Sequence, residues 1–216
     1  IRRPQYALSY NDKQHIPNWV SWKLDAEDIG DEPRNNFAPD PDLPEAFTAI
    51  RPNDYTRSGY DRGHNCPSKD RSASKEDNQA TFLMSNMTPQ QHGLNAGPWE
   101  KLEEYARDQA RDGNSCHIIA GHGFSSPDIK TIGTAQIAVP DFAWKIVVVV
   151  KKGKPVDATA KVIAVRMPNI STVSRKPWQD FTVKPSELEL ATGLRFFGSF
   201  NAPLRRALLN KPGDGS

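Results

Sequence analysis

Gly59-Tyr60-Asp61-Arg62-Gly63-His64-Asn65-Cys66-Pro67 is the stretch on which the reading of this chain turns. Two glycines bracket a polar run that ends in an imidazole, the pattern of a tight turn presenting a histidine. Gly63 lets the backbone bend close to a ligand. Asp61 and Arg62 flank His64, which makes an anion-handling site one outcome, although four residues alone are a weak signal. His15, His92, His117 and His122 lack such neighbours and are read as surface or satisfied core histidines.

A second cluster lies downstream: Asn86, Gln90, and then Leu94-Asn95-Ala96-Gly97-Pro98-Trp99 running into Leu102-Glu103 and Arg107. The apolar positions Trp99, Leu102, Tyr105, Ala106 and Ala110 follow helical spacing, so a helix is expected from about Pro98 to Asp112, stopped by Gly113-Asn114. Asn95, Trp99, Glu103 and Arg107 are four apart and fall on one ridge of that helix. Asn95 is expected at its start, where free backbone N–H groups favour anions. An amide oxygen, a carboxylate and a guanidinium on one ridge suit a Mg²⁺ ion and a phosphate. The competing reading is an ordinary i,i+4 surface pair between Glu103 and Arg107, contributing ~0.3–0.5 kcal/mol.

The rest of the chain bounds the class. Its 216 residues include five Trp, nine Phe and several Val/Ile runs, enough for a core of its own. No apolar stretch approaches ~18 residues, so no membrane-spanning helix is expected. Two cysteines cannot build a disulfide framework. The net charge of +2 hides an asymmetry. Residues 25–45 hold eight acids and one base, Arg34, leaving 27 bases and 18 acids, a net of +9, elsewhere. That balance suits an anionic partner or simply a solvated surface.

Residues 1–60, rich in Pro, Asn and Asp, are expected as short strands and loops. Strands are expected at Thr81–Met84, Cys116–Ala120, Trp144–Val150 and Lys161–Met167, the run of four valines being buried on both faces. A short helix is expected over Glu187–Thr192. Arg195–Lys211, with four bases and no acid, is read as a frayed, solvated tail. No repeat or linker interrupts residues 1–216, which are read as one domain.

Taken together, Asp61-Arg62-Gly63-His64 with Asn65-Cys66-Pro67, and Leu94-Asn95-Ala96-Gly97-Pro98-Trp99 with Leu102-Glu103, resemble the signature of the DNA/RNA non-specific endonucleases. The resemblance extends over roughly residues 15 to 200 and includes Pro17–Trp22, Asp77–Gln90 and Trp144–Val149. It implies an α+β chain with the ββα-metal nuclease fold, a central antiparallel sheet flanked by helices. It implies a sugar-non-specific, Mg²⁺-dependent endonuclease of DNA and RNA giving 5′-phosphorylated products, with Mn²⁺ as an alternative cation.

Residue by residue, His64 matches the general base. Asn95 matches the one direct protein ligand of the ion. Glu103 matches the acid that holds metal-bound waters, with Asp61 sharing that task. Arg107 matches a guanidinium on the scissile phosphate, and Arg34 a second one, oriented by the acids around it. Arg62, Arg57 and Asn86 are expected as substrate contacts.

Cys66 departs from the family's usual small apolar residue. It packs as a small hydrophobe, or it is a redox-sensitive thiol able to pair with Cys116. Two other classes compete: a catalytically inactive nuclease-like nucleic-acid-binding domain, and a zinc hydrolase built on Cys116, His117 and His122, whose spacing is not a usual zinc pattern. The chain starts at Ile1 with no signal-peptide pattern, as a processed form would. A free nuclease in its own cytosol is destructive, so a secreted or periplasmic location, or a protein inhibitor as partner, is expected.

Overall fold

The computed structural model describes residues 1–215. Its elements in chain order are β1 (Ala7–Asn11), β2 (Ile16–Leu24), β3 (Asp61–His64), α1 (Lys75–Ala80), β4 (Met87–Gln90), the helical turn α2 (His92–Leu94), α3 (Glu100–Arg111), β5 (Asn114–Gly123), β6 (Thr131–Ile132), β7 (Ile137–Ala138), β8 (Phe142–Lys151), β9 (Lys161–Pro168), α4 (Pro185–Thr192) and α5 (Ala202–Leu209). Five strands form an antiparallel sheet in the order β1-β2-β5-β8-β9. β8 sits between β5 and β9, with Ile118 opposite Val147 and Val147 opposite Ile163. Apart from its last residue it is buried along its whole length, as its continuous apolar run requires.

Alternation along the strands divides the interior in two. Val147, Val149, Ile163 and Val165 pack with Leu94, Trp99, Leu102 and Ala106 on the face that carries α3. Trp144, Ile146, Val148 and Val162 pack with Leu188, Phe196, Leu208 and Leu209 on the other. Residues 195–211 are therefore no frayed tail. Asn201 caps α5 through its side chain, and the Arg205 guanidinium grips both carboxylate oxygens of Glu189 at 2.6 and 2.9 Å. Two of the four bases, Arg205 and Arg206, lie on an amphipathic helix whose Leu208 and Leu209 close the second core, a pattern that charge counting passes over.

Thr81–Met84 is also not a strand. Its amides close local turns, Thr81 and Phe82 donating to the carbonyls of Asn78 and Gln79. Leu83 makes one isolated bridge to Ala38. Apolar side chains are buried here by a turn, which a short run cannot distinguish from a strand.

β3 and β4 form a separate two-stranded ladder that leads, through α2 and an irregular turn, into α3. Asp61–His64 is thus strand, with His64 opposite Met87, where a tight turn was expected. Gly63 is required because the Gln90 side chain crosses the position a Cβ would occupy.

Candidate active site

A cleft of about 160 Å³ opens between the end of β3 and the start of α3, and Arg34, Arg62, His64, Asn95, Glu100 and Glu103 are among its walls. The two motifs converge there although 30 residues separate His64 from Asn95 in the chain.

His64 ends β3 at 9% exposure. Phe82 meets its ring edge-on at 5.0 Å and Phe37 at 5.6 Å. Its Nε2 is buried with no hydrogen-bond partner among the described residues. Burial, reinforced by the nearby Arg34 guanidinium, pushes its pKa down to about 3, so the imidazole is neutral at physiological pH. The segment behind it is clamped by Asn86. Its Oδ1 accepts from the Cys66 amide at 3.0 Å, and its Nδ2 donates to the carbonyls of Cys66 and Thr81 at 2.8 and 2.9 Å. Asn86 is wholly buried. It orders the chain after His64 and does not reach a substrate.

Arg34 stands 5.2 Å over the Phe82 ring, and Arg62 stands 5.0 Å over Phe37. Arg62 also donates to the Pro52 carbonyl at 2.9 Å, which fixes its fork at the wall. Arg34 forms no ion pair among the described residues. Five of the eight acids in residues 25–45 are engaged elsewhere: Asp25 with Lys23, Glu27 with Lys152, Asp28 with Arg71, and Asp40 and Asp42 with Arg3. Arg57, in the left-handed region at φ 59, lies on an exposed loop away from the cleft walls.

Asn95 does not begin α3: it follows α2 directly and opens a kinked π-type turn, Asn95–Trp99, and its own amide donates to the Gln91 carbonyl at 3.0 Å. Gly97, at φ −112 and ψ −120, kinks the chain before Pro98 and lets α3 begin at Glu100. The single ridge of the sequence reading is broken at this kink. Asn95 and Glu103 still face the cleft. Asn95 Nδ2 donates to Asp61 Oδ2 at 2.9 Å, which leaves its Oδ1 without a protein partner among the described residues. The same Asp61 oxygen lies 2.8 Å from His92 Nδ1, a contact that no sequence signal marked.

Arg107 turns inward. It is 4% exposed and pairs at 3.0 Å with Asp70, itself 1% exposed and held by Trp22 Nε1 at 3.0 Å. Arg107 is not among the walls of the cleft. Burial raises the Asp70 carboxyl, and the Arg107 charge pulls it back down. Next to this pair, Glu103 Oε1 accepts from Lys145 Nζ at 3.2 Å. Burial raises Glu103 and lowers Lys145, while each charge offsets part of the other's penalty. Lys145 and Asp70 were missed in the sequence. The available signal was a lysine inside the apolar run Trp144–Val150.

Cys66 and Cys116 are both free and buried. Burial raises both thiols, Cys116 to about 12. A disulfide between them is not formed. His117 and His122 alternate to opposite faces of β5, one exposed and one buried, so no zinc set assembles. Among the described residues, no group of three or more His, Cys, Asp or Glu side chains is placed to hold a metal.

The donor set still fits a hard divalent cation that keeps most of its waters. One unpartnered amide oxygen faces the cleft, and the carboxylates of Asp61 and Glu103 stand beside it.

The sequence pattern of the DNA/RNA non-specific endonucleases matches residues 1–202. The chain belongs to that family. Members are nucleases, and this chain is a nuclease by membership. A nuclease of Nostoc sp. is 38% identical over 213 residues, covering 96% of this chain and 76% of that protein. The mitochondrial nuclease EXOG of Danio rerio is 33% identical over 204 residues, and the chain spans 59% of its length. Among solved structures, a chain in the crystal structure of the EndoG/EndoGI complex superposes with a TM-score of 0.83 at 26% identity, over 94% of this chain and 87% of that one. The α+β nuclease fold implied by the motifs is therefore shown. No helix among the described residues is long and apolar enough to cross a membrane.

Proposed function

We propose that this chain, acting as one domain over residues 1–216, is a sugar-non-specific endonuclease that hydrolyses DNA and RNA to 5′-phosphorylated products with the help of a single Mg²⁺ ion. The observation that carries the proposal is the meeting, in one cleft, of a neutral imidazole, two guanidinium groups and an unpartnered amide oxygen.

His64 takes the proton of the attacking water, which its buried, uncharged state equips it to do. Arg34 and Arg62 bind the non-bridging phosphate oxygens, and loss of one such donor costs ~10²–10³ in rate. Asn95 Oδ1 would hold the cation, while Glu103 and Asp61 orient its waters. When bound, Mg²⁺, or Mn²⁺ in its place, supplies Lewis-acid stabilisation of charge on the leaving 3′ oxygen. Arg107 is assigned no phosphate contact; it secures the floor of the site through Asp70. Recognition through phosphate alone carries little base information, which supports action on both nucleic acids. A nuclease this unselective calls for confinement, so we place it outside the cytosol, secreted or periplasmic, or under a protein inhibitor.

The test is cleavage of supercoiled plasmid and of single-stranded RNA, with Mg²⁺ and with EDTA, beside His64→Ala. Cleavage of both by the wild type, lost with EDTA and with His64→Ala while DNA binding persists, is expected. A folded wild-type chain that binds DNA and cleaves neither substrate would make it a nuclease-like binding domain instead.

A further inference from the structure

A lysine lies beneath the cleft, in the middle of the most apolar strand of the protein. Lys145 is 1% exposed, between Trp144 and Ile146 on β8. An ammonium at such a depth is retained at a cost, and a methionine would fill the space without it. Three contacts define what the charge does. Its Nζ donates to Glu103 Oε1 at 3.2 Å. It stands 3.9 Å from the centroid of the Trp99 ring. The Trp99 indole N–H in turn points at the main-chain carbonyl of His64, 3.4 Å away.

Glu103 lines the cleft and has no other protein hydrogen bond among the described residues, so the lysine fixes Oε1 and leaves Oε2 without a protein partner. The same ammonium rests on the ring that meets the strand end bearing His64. The neighbouring Arg107–Asp70 pair is bonded at 3.0 Å, and Lys145 makes no hydrogen bond to it among the described residues.

From these contacts we propose that Lys145 is a positioning residue: through its hydrogen bond to Oε1 it holds the Glu103 carboxylate aimed at the cation-binding side of the cleft. The inference rests on the reading of Glu103 as the holder of cation-bound waters. A partner that orients such a group is worth ~10–100-fold in metal affinity or rate when removed.

The experiment compares four full-length chains: wild type, Lys145→Met, Glu103→Gln and the double variant. The first readout is Mn²⁺ binding without nucleic acid, by calorimetric titration. The second is kcat and KM on plasmid DNA. Lys145→Met is expected to weaken Mn²⁺ binding and to lower kcat by about ten-fold or more, with KM for DNA within about two-fold of wild type. Loss of packing alone would not divide kcat from KM in this way.

The double variant is expected to match Glu103→Gln within about two-fold in both readouts, because the lysine acts through the carboxylate. A folded Lys145→Met chain with wild-type Mn²⁺ affinity and kcat overturns the proposal. So does a double variant that falls about ten-fold below Glu103→Gln. If Lys145→Met does not fold, Glu103→Gln and the double variant, from which the buried ammonium has gone together with its counter-charge, decide the matter by the same comparison. A wild-type chain that cleaves without any cation removes the reading of Glu103 and this inference with it. A cation-dependent wild type with an indifferent Lys145→Met removes the inference alone.

Discussion

Replacing Arg107 by Met separates two roles that the sequence alone could not separate. If Arg107 touched the scissile phosphate, its loss would slow cleavage by ~10²–10³ and leave stability nearly unchanged. The structure places it against Asp70 instead, with side-chain exposures of 4% and 1%. The variant would strand a carboxylate whose remaining side-chain donor is the Trp22 indole at 3.0 Å. Breaking a buried pair on one side costs ~3–5 kcal/mol.

The carboxyl can limit that loss by taking a proton. Neutralising a carboxyl of ordinary pKa costs ~4 kcal/mol at pH 7 and ~1.5 kcal/mol at pH 5. The sign follows from linkage. In the variant the folded pKa of Asp70 lies far above its unfolded value, so the folded chain keeps a proton that the unfolded chain releases, and stability falls as pH rises. Urea unfolding followed by tryptophan fluorescence should show Arg107→Met destabilised by ~3–4 kcal/mol at pH 7 and by about half of that or less at pH 5. Adding Asp70→Asn should recover most of the pH 7 loss, since no buried charge is then left alone. Activity per folded molecule should fall less than about ten-fold, because no phosphate contact is lost. A loss of stability under ~1 kcal/mol together with a rate loss above ~10² would refute the buried role and return Arg107 to the substrate.

Two further outcomes follow from buried groups. His64 and His122 each have pKa values pushed down to about 3 by burial, with Arg34 and Lys145 respectively adding to the effect. The unfolded chain protonates both below pH ~6.5, so their contribution is present above that pH and is lost as pH falls toward 3, at up to ~1.4 kcal/mol per pH unit for each. His122→Gln should flatten the acid limb of the stability curve, and an unchanged slope would contradict its buried, neutral state. Cys66 and Cys116 are both 0% exposed, so a thiol reagent should modify neither in the folded chain and both after unfolding. Rapid native modification of Cys66, or a mass two hydrogens short of the dithiol, would restore the redox reading.

Sequence made the site legible where the chemistry is local and the spacing short. Asp61 to His64, and Asn95 with Glu103, carry residue types whose combination is rare enough to announce a nuclease. The apolar strands β8 and β9 and helix α3 were visible as periodicity. What sequence hid was the partner of each charge. Arg107 looked available because its i−4 neighbour Glu103 offered an ordinary pair, yet its partner is Asp70, 37 residues away. The acids around Arg34 looked like its escort, yet five of the eight bind Arg3, Lys23, Arg71 and Lys152. Ion pairing across a fold is set by which faces the sheet and helices bring together, and no local window contains it. The misread C-terminus has the same origin, because Glu189 and Phe196 supply what Arg205 grips.

The site must place several positive charges near a base that works only when it is neutral. Phosphate binding asks for guanidinium groups, and each one close to His64 disfavours its protonation. The structure turns this to use: the Arg34 charge that would meet a phosphate is the same one that helps hold the imidazole uncharged. Glu103 faces the opposite demand. It has to stay ionised in a place where burial favours the neutral acid, and a carboxylate beside His64 with no cation behind it would tend to become protonated. The Lys145 ammonium, bonded to Oε1, pulls toward the ionised form. Arginines in the cleft and a lysine under it are therefore not interchangeable sources of positive charge. Moving the lysine's charge to the cleft surface would add to phosphate binding and withdraw support from the acid, and kcat and KM would then both fall.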